Sequence, residues 1–194
     1  WSGVEMVFVS AHKIGGPKGI GALVIKRGLD LAAQIRGGGQ EMGWRAGTEN
    51  VIGIAGFGAA AVAATQDLAD GVWERVAQLR NILEKTLEDR APSTILVGKG
   101  VARLPNTSFL LTPGWRGETQ VMQMDLAGVA VSAGSACSSG KVKASGVLRA
   151  MGYDAGLAAA GLRVSLGPQT TEAEVSAFAD LWLAARKRAA DRAR

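Results

Sequence analysis

The chain has 194 residues, 47% hydrophobic and 20% charged, with 27 glycines. That length can bury a sizeable core as one large domain or two small ones, and the composition excludes disordered and collagen-like chains. The net charge is +5, but much of the excess lies in the tail at Arg186, Lys187, Arg188, Arg192 and Arg194, where it complements a helix C-terminus and does not by itself indicate nucleic acid.

Residues 6–9, Met-Val-Phe-Val, read as a buried strand, and residues 21–25, Gly-Ala-Leu-Val-Ile, as a second. The glycine-proline loop between them suits a hairpin or a tight connection. Because the chain starts on Trp1 and enters a buried-type strand almost at once, a fragment is expected. Gly37-Gly38-Gly39-Gln40-Glu41 is a loop with no side chains at three successive positions, able to pass close to a ligand or another backbone. Thr48-Glu49-Asn50 marks a helix start before the uncharged stretch 51–64. Fourteen residues fall short of the roughly 20 that span a bilayer, so this stretch reads as a buried helix, with no membrane partner. An amphipathic helix follows, with Val72, Val76, Leu79, Leu83 and Leu87 at three- and four-residue spacing.

Beyond Ala91-Pro92 the pattern changes. Residues 94–97 and 107–111 read as strands, 119–126 as a short helix, 129–131 as a short strand and 147–151 as a brief helix. Residues 162–166 read as a strand, and Thr171-Glu172-Ala173-Glu174 as a capping box opening a helix with Val175, Phe178, Leu181 and Trp182 on one face. The expected fold class is α/β. A boundary near residue 70 separates 1–70, the remnant of a larger α/β domain, from 71–194, a small α+β domain.

Four places carry chemistry. Ser10-Ala11-His12-Lys13 ends the first strand and opens into Gly15-Gly16-Pro17-Lys18-Gly19. Lys13 reads either as a solvated lysine or as an amine beside phosphate-binding groups. The segment is not a P-loop, because Gly-Lys-Ser/Thr is missing, and not a dinucleotide loop, because Gly16, Gly19 and Gly21 do not give G-x-G-x-x-G. Thr48 either caps the helix or offers its hydroxyl to a phosphate. Cys137, the single cysteine, cannot form an intrachain disulfide and points to a reducing, cytoplasmic setting. It sits among Gly, Ser and Ala with Lys141 and Lys143 nearby, so it reads as reactive as readily as inert. Arg163, within an apolar strand, faces either water or a carboxylate. No metal site is indicated.

In this order the segments resemble the pyridoxal-phosphate-dependent cysteine desulfurases of the NifS/IscS type, in the class V aminotransferase family of fold type I. Ser10 to Lys13 with Gly16-Pro17-Lys18-Gly19-Ile20-Gly21 resembles the cofactor-lysine motif. Gly37 to Glu41 through Arg45-Ala46-Gly47-Thr48-Glu49-Asn50 resembles a second signature. Ser132-Ala133-Gly134-Ser135-Ala136-Cys137 resembles the active-site cysteine loop, and Arg163-Val164-Ser165-Leu166-Gly167 the substrate-arginine strand.

The resemblance implies pyridoxal 5'-phosphate as cofactor, held by Lys13 as its Schiff-base lysine, with Ser10 and His12 on its phosphate. Thr48 would reach the phosphate of the neighbouring subunit's cofactor in a homodimer. Arg163 would bind the carboxylate of L-cysteine. Cys137 would take the sulfur as a persulfide, leaving L-alanine and delivering sulfur to an acceptor or scaffold protein, as in iron–sulfur cluster assembly. Family members are considerably longer and carry an N-terminal half absent here, so these residues are expected to be inactive alone. Ala144-Ser145-Gly146 departs from the usual Pro-Ser-His after the cysteine loop. Alternatives are another class V enzyme (an aminotransferase or a selenocysteine lyase) and a non-catalytic interaction domain.

Overall fold

A computed structural model describes residues 3–134 and 145–192. The chain divides into two compact units, Trp1–Asp70 and Gly71–Arg194.

In the first unit, β1 (Met6–Ser10) pairs antiparallel with β2 (Gly21–Ile25), in register from Met6 opposite Ile25 to Ser10 opposite Gly21. This is the hairpin that the glycine-proline loop predicts. The strands are not buried. Phe8, 84% exposed, faces outward beside Leu23 on one side of the ribbon, and Val7 beside Val24 on the other. Side chains alternate across a strand, so a two-stranded ribbon that is apolar on both faces needs a layer on each. The unit supplies neither.

The same holds for α1 (Val51–Ala69), where the sequence predicts a buried helix. Only Gly53 of this helix is buried, and Ile52 is 88% exposed. With Val51, Val62 and Leu68 also exposed, α1 is apolar around most of its circumference. Its mean hydropathy of 1.4 makes it long and apolar enough, by length and composition only, to cross a membrane. What it does pack on is the turn after β1.

The second unit opens with Gly71 in the left-handed region (φ 72°), where a side chain is disfavoured, and α2 (Val72–Arg90) follows. Next come β3 (Ile95–Leu96), β4 (Thr107–Leu111), α3 (Gly117–Leu126), β5 (Ser132–Ala133), α4 (Gly146–Ala150), α5 (Ala155–Ala158), β6 (Gly161–Ser165) and α6 (Glu172–Arg192). The four strands form one antiparallel sheet in the order β3-β4-β6-β5. The fifth strand begins at Ser132, just beyond the predicted 129–131, because its pairing with β6 places Ser132 opposite Arg163.

One face of this sheet carries Leu110, Leu162 and Val164. They pack with Leu79, Leu83 and Leu87 of α2 and with Val175, Phe178 and Trp182 of α6. The spacing of those residues along each helix gives one apolar stripe per helix. A smaller cluster of Leu111, Leu148 and Ala158 forms apart from this core, joined by the half-buried Phe109, Tyr153 and Leu157. The capping box forms as predicted. Thr171 N–H donates to Glu174 Oε2 at 2.8 Å, and Glu174 N–H to Thr171 Oγ1 at 3.3 Å. The Thr171 N–H and the Thr171 hydroxyl, both donating to Glu174 Oε2, hold the Glu174 carboxyl below its ordinary value.

Two polar networks lie inside the core. Gln120, fully buried, donates to the carbonyls of Trp115 and Ala160 and accepts from Trp182 Nε1 at 3.0 Å, so it ties α3 to α6 and to the entry of β6. Glu84, 2% exposed on α2, accepts two hydrogen bonds from Arg103 at 2.7 and 2.6 Å and one from Ser108 of β4 at 2.6 Å. Burial alone would raise the Glu84 carboxyl. The bonds from Arg103 and Ser108, with the charges of Arg103 and Arg80, outweigh it and hold the carboxyl below the ordinary 4.5.

A depressed folded value means that the ionised carboxylate stabilises the fold above the unfolded pKa, and that this contribution is lost as pH falls through the folded value. The urea midpoint should therefore hold steady from neutral pH towards 5 and fall below 4.5. Glu84→Gln should fall less over the same window, and superimposable profiles would remove Glu84 from the account. Arg103→Ala, which strands a buried carboxylate, should cost about 3 kcal/mol at pH 7 by equilibrium unfolding.

Candidate functional site

The end of β1 is turned by a single helical turn at Ala11–Lys13. Ala11 is its anchor. The residue is fully buried, its N–H donates to Ile20 O at 3.1 Å, and its carbonyl accepts from Gly16 N–H at 2.8 Å. With Ala11 pointing inward, Ser10 is half-buried while His12 and Lys13 face out. Hydroxyl, imidazole and amine therefore occupy three of four successive positions at one strand end. No side-chain hydrogen bond or ion pair engages any of the three among the described residues. Donors without internal partners are available to an external acceptor, and this set suits a phosphate and a carbonyl.

Gly16 closes the turn. A Cβ there would lie 2.9 Å from Ala11 Cβ, 3.1 Å from Ala11 O and 3.2 Å from Ala60 Cβ of α1. None of these atoms can swing away. The small residues of α1 thus let the helix approach the lysine turn closely, as Gly56 does beneath Pro17.

Thr48 belongs to the same unit. The sequence allows it to be the helix cap, but Asn50 takes that place, its Oδ1 accepting from Gly53 N–H at 3.0 Å. The Thr48 side chain is exposed and takes no part in capping. Before it, the Gly37-Gly38-Gly39 loop runs into a short turn, Gln40–Gly43, in which Glu41 (φ 50°) and Met42 (φ 54°) both adopt the left-handed conformation. Two adjacent non-glycine residues in that region store backbone strain, which clusters at functional loops. The turn is held from within: Gln40 Oε1 accepts from Gly47 N–H at 3.2 Å and Arg45 donates to Gly47 O at 2.6 Å. Sequence reasoning missed this pair, since neither residue is a usual left-handed former.

Arg163 lies in the second unit, at the centre of β6, between Phe109 of β4 and Ser132 of β5. Its neighbours Leu162 and Val164 are buried in the core, so alternation places Arg163 on the other face. It is half-buried and makes no ion pair among the described residues. Cys137 lies outside the described residues. The structure thus brings Ser10, His12 and Lys13 together in one turn, sets Thr48 in the same unit and carries Arg163 in the other.

The sequence model of the aminotransferase class-V family matches residues 2–178. The chain is 49% identical over 185 residues to a cysteine desulfurase of Frankia sp., covering 93% of this chain and 43% of that protein. It is 42% identical over 172 residues to a cysteine desulfurase of Sinorhizobium fredii, covering 89% and 44%. The X-ray structure of a NifS-like protein from Rickettsia africae superposes with a TM-score of 0.82 at 34% identity, over 93% of this chain and 47% of that one. The chain therefore spans less than half the length of these relatives, with the same mixed α/β fold over the shared part.

Gly16→Ala should displace the turn at Ala11 and destabilise the first unit by about 1–3 kcal/mol. Hydrogen exchange of the Gly16 and Ile20-facing amides should speed up, while amides of the second unit stay unchanged. Equal exchange in both variants would show that the contact to Ala11 and Ala60 is slack.

Proposed function

Because this chain belongs to the aminotransferase class-V family, we propose that it forms part of a pyridoxal-phosphate-dependent cysteine desulfurase. The observation that carries this reading is the Ser10–His12–Lys13 turn, three donors without internal partners in a chain that is 49% identical to a cysteine desulfurase. In this reading residues 1–70 belong to the cofactor-binding domain and residues 71–194 to the small domain. The cellular setting is cytoplasmic.

The residues present fit the cofactor. Ser10 and His12 hold its phosphate, a hydroxyl and an imidazole at the open end of a strand. Lys13 holds it through Nζ, and the outward position of this side chain leaves the amine accessible. Pyridoxal phosphate, when bound, supplies an electron sink that makes the Cα proton of an amino acid labile. Lys13 Nζ, the amine that would hold the group, would carry that proton. Thr48, relieved of capping by Asn50, contributes its hydroxyl to the cofactor phosphate of the second subunit in a homodimer.

Arg163 fixes the carboxylate of L-cysteine. A planar guanidinium suits a carboxylate, and Arg163 has no acidic partner of its own among the described residues. Cys137 Sγ attacks the substrate sulfur as the bond from that sulfur to Cβ breaks, and the electron pair left on the carbon skeleton takes up a proton. Cys137 keeps that sulfur as a persulfide for an acceptor protein, and the carbon skeleton leaves as L-alanine. A soft thiolate is the matched nucleophile for sulfur.

Incubation with pyridoxal phosphate, borohydride reduction and peptide mapping test the first step. Lys13 should carry the label, with Lys18 and Lys26 clean. His12→Ala should lower the yield at limiting cofactor by about tenfold, the worth of one charge-assisted bond, whereas Arg163→Lys should leave it unchanged. Label scattered over the lysines would remove the cofactor role from Lys13.

A further inference from the structure

We propose that Ser132 is a positioning residue for Arg163, setting the plane in which the guanidinium meets a substrate carboxylate. This rests on the reading of Arg163 as the carboxylate-binding group.

The register of the sheet puts Ser132 of β5 directly opposite Arg163 of β6, on the same face. Both side chains are half-buried. Arg163 Nη2 donates to Ser132 Oγ at 3.4 Å, the one polar contact of this guanidinium among the described residues. Its Nε is buried and has no partner among the described residues. On the other side of Arg163, Phe109 of β4 presents an aromatic ring, packed into the cluster of Leu111, Leu148 and Ala158.

The arginine is therefore flanked by an apolar wall and by one hydroxyl. The wall limits where the stem can go but gives the guanidinium no direction. The hydroxyl gives direction: it accepts from one Nη2 N–H and leaves the remaining Nη donors for an incoming anion. At 3.4 Å the bond is long enough to yield when a carboxylate binds, and short enough to bias the free side chain. A carboxylate meeting a preset plane also avoids ordering a long side chain during binding.

The test uses the 194-residue chain, with Ser132→Ala, Ser132→Thr and Arg163→Lys. The Arg163 Nε–Hε resonance is assigned by its loss in Arg163→Lys. Without ligand, its 15N relaxation should report a restrained guanidinium in the parent and in Ser132→Thr, and a freer one in Ser132→Ala. Titration with L-alanine, which bears the carboxylate without the thiol, should shift this resonance. Half-saturation should rise about tenfold in Ser132→Ala and return close to the parent in Ser132→Thr. The thermal midpoint should not move, which separates positioning from a structural role. If the parent responds and Ser132→Ala responds with the same half-saturation, Ser132 does not position Arg163. If the parent does not respond at all, the carboxylate reading of Arg163 falls, and the inference falls with it.

Discussion

Leu162 and Val164 decide where Arg163 points. Both are fixed in the core between α2, α6 and the sheet, where each fully buried aliphatic side chain contributes about 1.5–3 kcal/mol. A strand has a period of two, so the residue between them must face the other side. No local preference of arginine competes with two such anchors. The register then fixes its neighbours, Phe109 on one flank and Ser132 on the other. Gln120 secures the start of β6 from behind, bonding Ala160 and Trp182 at once. The place of the arginine is thus a consequence of core packing one residue away on either side.

The first unit obeys the opposite regime. Its buried residues among those described are Ala11, Ala46 and Gly53, all small. Three small residues cannot bury enough apolar surface to order seventy. Its strands and α1 nevertheless have the composition of buried elements, apolar on both faces of the ribbon and around most of the helix. What is locally determined there is the turn at Ala11, held by main-chain bonds to Gly16 and Ile20 and by the close approach of Ala60. That turn presents Ser10, His12 and Lys13 whatever covers the outer surfaces.

This contrast explains what the sequence could reveal. Periodicity located α2 and α6, because burial on one face writes a pattern into the residues, and short apolar runs located β2, β4 and β6. The capping box at Thr171 and Glu174 was legible because its bonds span three residues. Exposure of β1 and α1 was not legible, since an apolar run reads the same whether or not a neighbour covers it. Asn50 replaced Thr48 as the cap because the choice depends on where the first turn starts, a matter of one or two residues. The Ser132–Arg163 pair and the Glu84–Arg103 pair join residues 31 and 19 positions apart, and only register or tertiary packing brings them together.

Arg103 and Arg163, both in the second unit, show how a closed charge differs from an open one. Arg103 is closed. It binds Glu84 through two parallel bonds and also donates to Thr107 O, so its charge is neutralised inside the fold. Such a pair holds α2 to β4 and has no donors aimed at a ligand. Arg163 is open. It is half-buried, lacks an acid among the described residues, keeps one long contact and leaves a buried Nε without a partner. An unsatisfied buried donor costs about 1–3 kcal/mol. A neutral residue at that position on β6 would avoid the cost and could still pack beside Phe109. Under the proposed carboxylate role, the charge of Arg163 would find its counterion in a bound anion instead of an internal acid. Lys13 differs, since an exposed amine has water for a partner and bears no such cost. In this chain, stored polar frustration is the stronger sign of function at the arginine, and the company of Ser10 and His12 is the stronger sign at the lysine.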